Sequence, residues 1–216
     1  MSGRQYNLLD KMIIGFDQGL GTLVGQFAVR ASERQNPAEA VPNGVLSDAE
    51  RRLSAGLMRV NHAGEVSAQA LYQGQGLIAR DPRIRQSMQQ SAEQEIDHLN
   101  WCQTRIEELG GHTSILNPLW FAGSFTIGTF AGLLGDKWSL GFIAETEQQV
   151  VKHLRGHLQR LPTGDLKSRA IIAQMQEDEG HHATVALEAG ARLLPESVKR
   201  VMQLCSKLMT TTAYWL

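Results

Sequence analysis

The sequence predicts an all-α protein: a four-helix bundle whose two hairpins are joined by a long apolar crossover, with additional helical segments at the N- and C-terminal ends. Three observations predict it. Apolar and small residues recur at helical spacing through four long segments, and no stretch sustains the alternation of a β-strand. Start and stop signals fall at the ends of those segments. One chemical pattern also occurs twice, a lone Glu followed some thirty residues later by Glu-x-x-His: Glu65 precedes Glu95-Ile-Asp-His98 by 30 residues, and Glu147 precedes Glu179-Gly-His-His182 by 32.

The elements follow in order. Leu9, Ile13, Phe16, Leu20, Leu23 and Phe27 fit one helix face, although Gly15, Gly19, Gly21 and Gly25 weaken that helix, each by roughly 1 kcal/mol against Ala. Residues 31–44, with Pro37 and Pro42, read as a linker over the surface, so that 1–45 forms an N-terminal helical segment and linker and 46–216 the bundle. Ser47-Asp-Ala-Glu50 is a capping box and starts a helix that runs to about Arg80. Asp81-Pro82 then offers an N-cap and a proline at the first helical position, and Gly110-Gly111 ends this second helix. Leu119 to Leu134 holds no charge but three glycines. It is shorter than the ~20 residues of a membrane span. It reads either as a buried helix or hairpin or as a surface that dips into one leaflet. A third bundle helix runs from about Asp136 to Leu161 and is stopped by Pro162. Thr163-Gly-Asp165 turns the chain into a fourth, which ends before Pro195. A last helix covers roughly Pro195 to Met209 and leaves an apolar tail at Ala213-Tyr-Trp-Leu216.

Composition narrows the function. With 216 residues, 42% hydrophobic and 20% charged, the chain has the length and the apolar content for one core. A net charge of -1 argues against nucleic acid as a partner. Cys102 and Cys205 are too few for a disulfide framework, and Met1 to Asp10 lacks a basic region followed by a long apolar run, so a reducing cytoplasmic setting is expected.

The doubled pattern carries the chemistry. Positions i and i+3 share a helix face, so Glu95 and His98 address one point, as do Glu179 and His182. Each glutamate lies on a mainly apolar stripe: Met58, His62, Glu65 and Tyr72; Glu95, His98 and Cys102; Ile143, Glu147, Val150 and Leu154; Met175, Glu179, His182 and Ala186. Four inward carboxylates repel one another and call for cations between them. Oxygen and imidazole ligands without thiolate suit iron or manganese. Two carboxylates, and a Glu-x-x-His from each of two further helices, form the ligand set of ferritin-like di-metal bundles. Asp178-x-x-His181 offers a competing register with a more polar stripe, and a supporting role for either residue if Glu179 and His182 are the ligands. Glu145 lies on nearly the opposite face from Glu147. His62 and Tyr72 share the inner stripe of the first helix, either beside the metals or as packed core. His153 lies loosely on the inner face of the third helix, and His112 and His157 belong to no constellation. No residue beyond the six is assigned a catalytic part.

Asn61-His-Ala-Gly-Glu65, Glu95-x-x-His98 and Asp178-Glu-Gly-His-His182-Ala resemble the demethoxyubiquinone hydroxylase family of ubiquinone biosynthesis, from about Leu46 to the C-terminus. Only the doubled His181-His182 fits the pattern less cleanly. The resemblance implies a ferritin-like di-iron monooxygenase with iron ligands at Glu65, Glu95, His98, Glu147, Glu179 and His182, and with Glu95 and Glu179 bridging two Fe ions. It implies O2-dependent hydroxylation of a polyprenylated methoxy-methyl-benzoquinol, a late step of ubiquinone biosynthesis. It also implies NADH or another reductant, partner proteins of that pathway, and a peripheral place on the cytoplasmic face of a bacterial inner membrane. No Gly-rich dinucleotide fingerprint occurs in the chain. The rival enzyme reading is a ferritin- or rubrerythrin-like protein that stores iron or reduces peroxide; the non-enzyme rival is a helical scaffold or quinone carrier.

Overall fold

The computed structural model describes residues 34–216 and the single position Gly21. The N-terminal helix expected over Leu8 to Phe27 otherwise lies outside the described residues. Among the described residues every regular element is a helix: α1 Asp48–Ile78, α2 Pro82–Glu108, α3 Asn117–Leu133, α4 Asp136–Arg160, α5 Leu166–Glu188 and α6 Glu196–Trp215.

The local signals act as their chemistry dictates. The Ser47 hydroxyl accepts from the Glu50 amide while the Glu50 carboxylate accepts from the Ser47 amide at 2.9 Å, closing the capping box of α1. The Asp81 carboxylate accepts from the Arg83 amide, with Pro82 at the first helical position of α2. Gly110, at φ 74°, reverses the chain after α2 where a side chain is strained. The Asp165 carboxylate accepts from the Ser168 amide and starts α5.

α1 pairs with α2, and α4 with α5, as two antiparallel hairpins. Tyr72 and Gln75 of α1 meet Glu147 and Ser139 of α4, while His98 and Arg105 of α2 meet Asp178 and Ser168 of α5, so both cross-pairs are also antiparallel. The crossover α3 returns alongside α1. This is the ferritin-like arrangement. Its main core combines Leu57, Met58, Trp101, Ile106, Leu154, Ile171, Ile172 and Met175 from all four bundle helices.

α3 is a helix with two faces, neither wholly buried nor wholly exposed. Gly128 and Gly132 face α1: a Cβ on Gly128 would lie 2.5 Å from the Leu71 carbonyl oxygen, and one on Gly74 of α1 would lie 2.4 Å from that of Phe125. The two backbones therefore touch, which only glycine permits at these positions. The far face leaves Leu119, Ile127, Phe130, Leu133 and Leu134 exposed.

Two expectations change. The last helix does not stop at Met209 but runs to Trp215. Thr210, Thr211 and Thr212 are indifferent helix formers, yet Ala213 and Tyr214 pack with Val60 and Ala63, the Tyr214 carbonyl accepts from Arg59, and the Leu216 carbonyl accepts from the Ile115 amide. Tertiary contacts thus override propensity. Residues 34–46 are irregular, as a linker should be, but Ala38 is buried in the main core and Arg34 reaches α5.

Candidate metal centre

The six residues chosen by spacing converge at the centre of the bundle. Glu65, Glu95, His98, Glu147, Glu179 and His182 are each 0–3% exposed, so water cannot neutralise their charges. Helical periodicity puts them there: each takes a core position on its helix, between apolar neighbours such as Val66, Leu99, Ile143 and Met175.

Both histidines aim Nδ1 inward. His98 Nδ1 lies 3.1 Å from Glu95 Oε2, 3.1 Å from Glu179 Oε1 and 3.6 Å from Glu65 Oε2. His182 Nδ1 lies 3.0 Å from Glu179 Oε2 and 3.3 Å from Glu95 Oε1. Glu95 and Glu179 thus present one oxygen to each imidazole. Two overlapping groups result, Glu65, Glu95, His98 and Glu179 on one side and Glu95, Glu147, Glu179 and His182 on the other, with the ligand atoms of each within 4.8 Å of one another. The Tyr72 hydroxyl donates to Glu147 Oε1 at 2.7 Å, while Glu147 Oε2 is buried without a hydrogen-bond partner. A buried carboxylate oxygen left open, in an all-oxygen and imidazole set, fits a hard or borderline divalent cation.

The electrostatics express the same demand. Burial, then the neighbouring Glu95 carboxylate, pushes the Glu65 carboxyl well above the usual range. Burial, then Glu179, does the same to Glu147. Burial also acts to raise Glu95, but hydrogen bonds from His182 and His98 outweigh it and hold Glu95 low. Burial opposes charge on His182, yet Glu179 and Glu95 push its pKa up to about 11. Protons on the imidazoles stand where cations would otherwise balance the carboxylates.

Of the competing register, Asp178 supports the cluster from behind. Its Oδ2 lies 2.9 Å from His98 Nε2, and His181 is exposed. Glu145 pairs with Lys199 of α6, away from the cluster. His62 is a core histidine, held 3.3 Å from the Asn117 amide nitrogen. The His153 and His157 rings pack together 4.0 Å apart, and His112 is exposed. Sequence reasoning missed Gln94, whose Oε1 lies 2.6 Å from His182 Nε2, and Arg34, which pairs with Asp178 at 2.8 Å while lying over Trp101. Neither carries a signal in sequence, since Gln94 is off the inner stripe and Arg34 lies in the linker.

A narrow crevice, too tight as it stands to hold a water molecule, runs between α1 and α4. Ala68, Leu71, Phe142 and Ile143 form its apolar walls, and Tyr72 and Glu147 its floor. It approaches the second group of ligands only.

Residues 52–213 match the family model described as ubiquinone biosynthesis protein COQ7. The chain belongs to this family. The matched span contains all six residues of the cluster. Among relatives of this COQ7 family, a 3-demethoxyubiquinol 3-hydroxylase of Nitrosococcus oceani is 58% identical over 216 residues, the whole of both chains. Proteins of the same name from Nitrosomonas europaea (56% over 207 residues, 96% of this chain and 98% of theirs) and Acinetobacter baumannii (54% over 213 residues, 99% and 100%) are similar to it across nearly their full lengths.

Proposed function

We propose that this member of the COQ7 family hydroxylates the ring of a polyprenylated demethoxyubiquinol with O2, using two iron ions held by Glu65, Glu95, His98, Glu147, Glu179 and His182. The observation that carries the reading is the pair of overlapping ligand groups sharing Glu95 and Glu179, in a chain over half identical to proteins named 3-demethoxyubiquinol 3-hydroxylase. Glu65 and Glu147 would each complete one position, and Glu95 and Glu179 would serve both. Iron bound there supplies the binding and reductive activation of O2. One oxygen atom enters the ring at the carbon that loses hydrogen. The other leaves as water, formed with two electrons from NADH or another external reductant and two protons, of which NADH would bring one and solvent the other.

The chain's own residues do the rest. The carboxylates balance metal charge, and the imidazoles present Nδ1 with their rings fixed from behind. The Tyr72 hydroxyl holds a proton against Glu147 and so fixes that carboxylate. The apolar side chains of Ala68, Leu71, Phe142 and Ile143 beside Tyr72 and Glu147 keep bulk water away. The ferritin- or rubrerythrin-like alternative is less well supported, because the relatives are named for quinol hydroxylation.

Among the described residues no helix is long and apolar enough to cross a membrane. A peripheral seat on the cytoplasmic face of a bacterial inner membrane suits an isoprenoid substrate. The exposed stripe of α3 supports it, as does a second on α6, where Val198, Val201, Leu204, Leu208 and Trp215 are exposed at helical spacing. Both helices are seated on α1, where Trp120 of α3 and Met209 of α6 pack against Val60, Ala63 and Ala213.

The decisive test is the quinone profile of cells lacking the protein. Demethoxyubiquinone should accumulate and should be cleared by the wild-type chain but not by Glu179→Ala. An unchanged profile in the deletion strain would refute the function.

A further inference from the structure

The doubled motif implies two equal halves, and the inward-facing atoms agree with it. The outward-facing atoms do not. His98 Nε2 meets a carboxylate, Asp178 Oδ2, at 2.9 Å. That carboxylate is fixed by Arg34 at 2.8 Å and by Gln174 at 3.0 Å. His182 Nε2 meets a neutral amide oxygen, Gln94 Oε1, at 2.6 Å. The lone glutamates differ as well: Glu147 receives the Tyr72 hydroxyl at 2.7 Å, whereas Glu65 Oε2 faces His98 Nδ1 at 3.6 Å.

We infer that the two metal positions are built unequal: the position of Glu65 and His98 takes a divalent ion first and holds it more tightly, and the position of Glu147 and His182 is the looser one and faces the crevice. The inference rests on the proposed reading of the six residues as a di-metal site. Its physics is independent of the reaction. A carboxylate behind an imidazole makes the inward nitrogen a stronger donor than an amide does. A phenol donating to a carboxylate draws charge from the oxygen that would face the ion. Both effects favour the His98 side. Arg34 works against the first, since it shares Asp178 Oδ2. It is, however, about one-third exposed on the surface, where solvent screens its charge, while His98 is fully buried. The crevice adds to the difference, because its floor is Tyr72 and Glu147 and includes neither Glu65 nor His98. A ring that parted α1 and α4 along this seam would therefore meet the looser position.

The test is a Co(II) titration of the metal-free full-length chain, followed by visible absorption and calorimetry. Two binding steps alone would not decide it, since the shared carboxylates make the second ion weaker in any case. The assignment of the steps decides it. Glu147→Ala should keep the wild-type affinity of the first step, and Glu65→Ala should weaken that step tenfold or more. Asp178→Asn should weaken the first step roughly 10–100-fold, the usual cost of removing such a partner. Gln94→Glu, at an exposed position, should strengthen the second. Equal first-step affinities in Glu65→Ala and Glu147→Ala, or a loss confined to Glu147→Ala, would overturn the inference even if Asp178→Asn failed to fold. A wild-type chain that binds no Co(II) would remove the di-metal reading itself, and this inference with it.

Discussion

His62 gives the sharpest quantitative expectation, because its cost on acidification follows from its position alone. The ring is 3% exposed, one turn before Glu65, and its Nδ1 accepts from Asn117 at the start of α3. Its Nε2 is buried without a partner. Burial lowers its pKa to about 4. The unfolded chain protonates near 6.5, so the folded state binds fewer protons between these values. Stability is therefore present above pH 6.5 and is lost as pH falls toward 4. At pH 4.5 the difference amounts to roughly 2.5 kcal/mol, from about 1.4 kcal/mol per unit. His62→Asn, whose Oδ1 replaces Nδ1 as the acceptor, removes the titration but keeps the bond to Asn117. Urea unfolding of the metal-free wild type and variant at pH 7.5 and 4.5 isolates the effect, because every other group titrates in both. The wild type should lose about 2.5 kcal/mol more than the variant between the two pH values. Equal losses would show that the ring is not held neutral in the core.

Three further outcomes are expected. Gly128→Ala should destabilise the chain despite the better helix propensity of Ala, since the new Cβ meets the Leu71 backbone; Gly123→Ala, with open space around it, should stabilise by up to ~1 kcal/mol, and thermal melts compare the two directly. Arg105→Met leaves the buried Asp165 carboxylate unpaired and should cost about 3–5 kcal/mol, whereas Lys167→Met, which breaks only the more exposed pair with Glu108, should cost under ~1 kcal/mol in the same denaturation assay. Phe130→Asp should reduce sedimentation with anionic vesicles while bound iron stays unchanged; lost iron with retained vesicle binding would make α3 a core element instead.

The residues that converge at the centre were legible because helical periodicity is local. Glu95 and His98, or Glu179 and His182, share a face whatever packs against them, and an apolar stripe identifies that face as inward. The same logic separates Glu147 from Glu145, which the structure pairs with Lys199 on α6. Helix boundaries were legible for a similar reason: Ser47, Asp81 and Asp165 cap through bonds within a few residues. What depends on distant chain was not legible. Gln94 reaches His182 across 88 positions and Arg34 reaches Asp178 across 144. The extension of α6 through three threonines likewise depends on Val60, Ala63 and Arg59 of α1. Spacing alone gave the glycines of the apolar stretch no part; only Leu71, Gln75 and Ile78 on the facing helix make Gly128 and Gly132 a contact surface.

The packing of α1 explains why a symmetric motif yields an asymmetric site. A bare pair of hairpins would present its two halves alike. Here α3 runs along α1, and α6 also packs against it, so α1 is covered chiefly by α2, α3 and α6. α4 has α5 as its main neighbour and touches α1 only sparingly. The seam left between α1 and α4 is the crevice, and it falls where Glu147 and Tyr72 meet. Glu65 is on α1, yet three residues before Ala68, where the crevice wall begins. Access is thus set by which helix the crossover and the last helix cover, a property of topology that no spacing of ligands encodes. Filling the seam should separate access from binding. Ala68→Phe should obstruct a quinone-sized probe while Co(II) still loads both positions; loss of metal with access intact would place the entrance elsewhere.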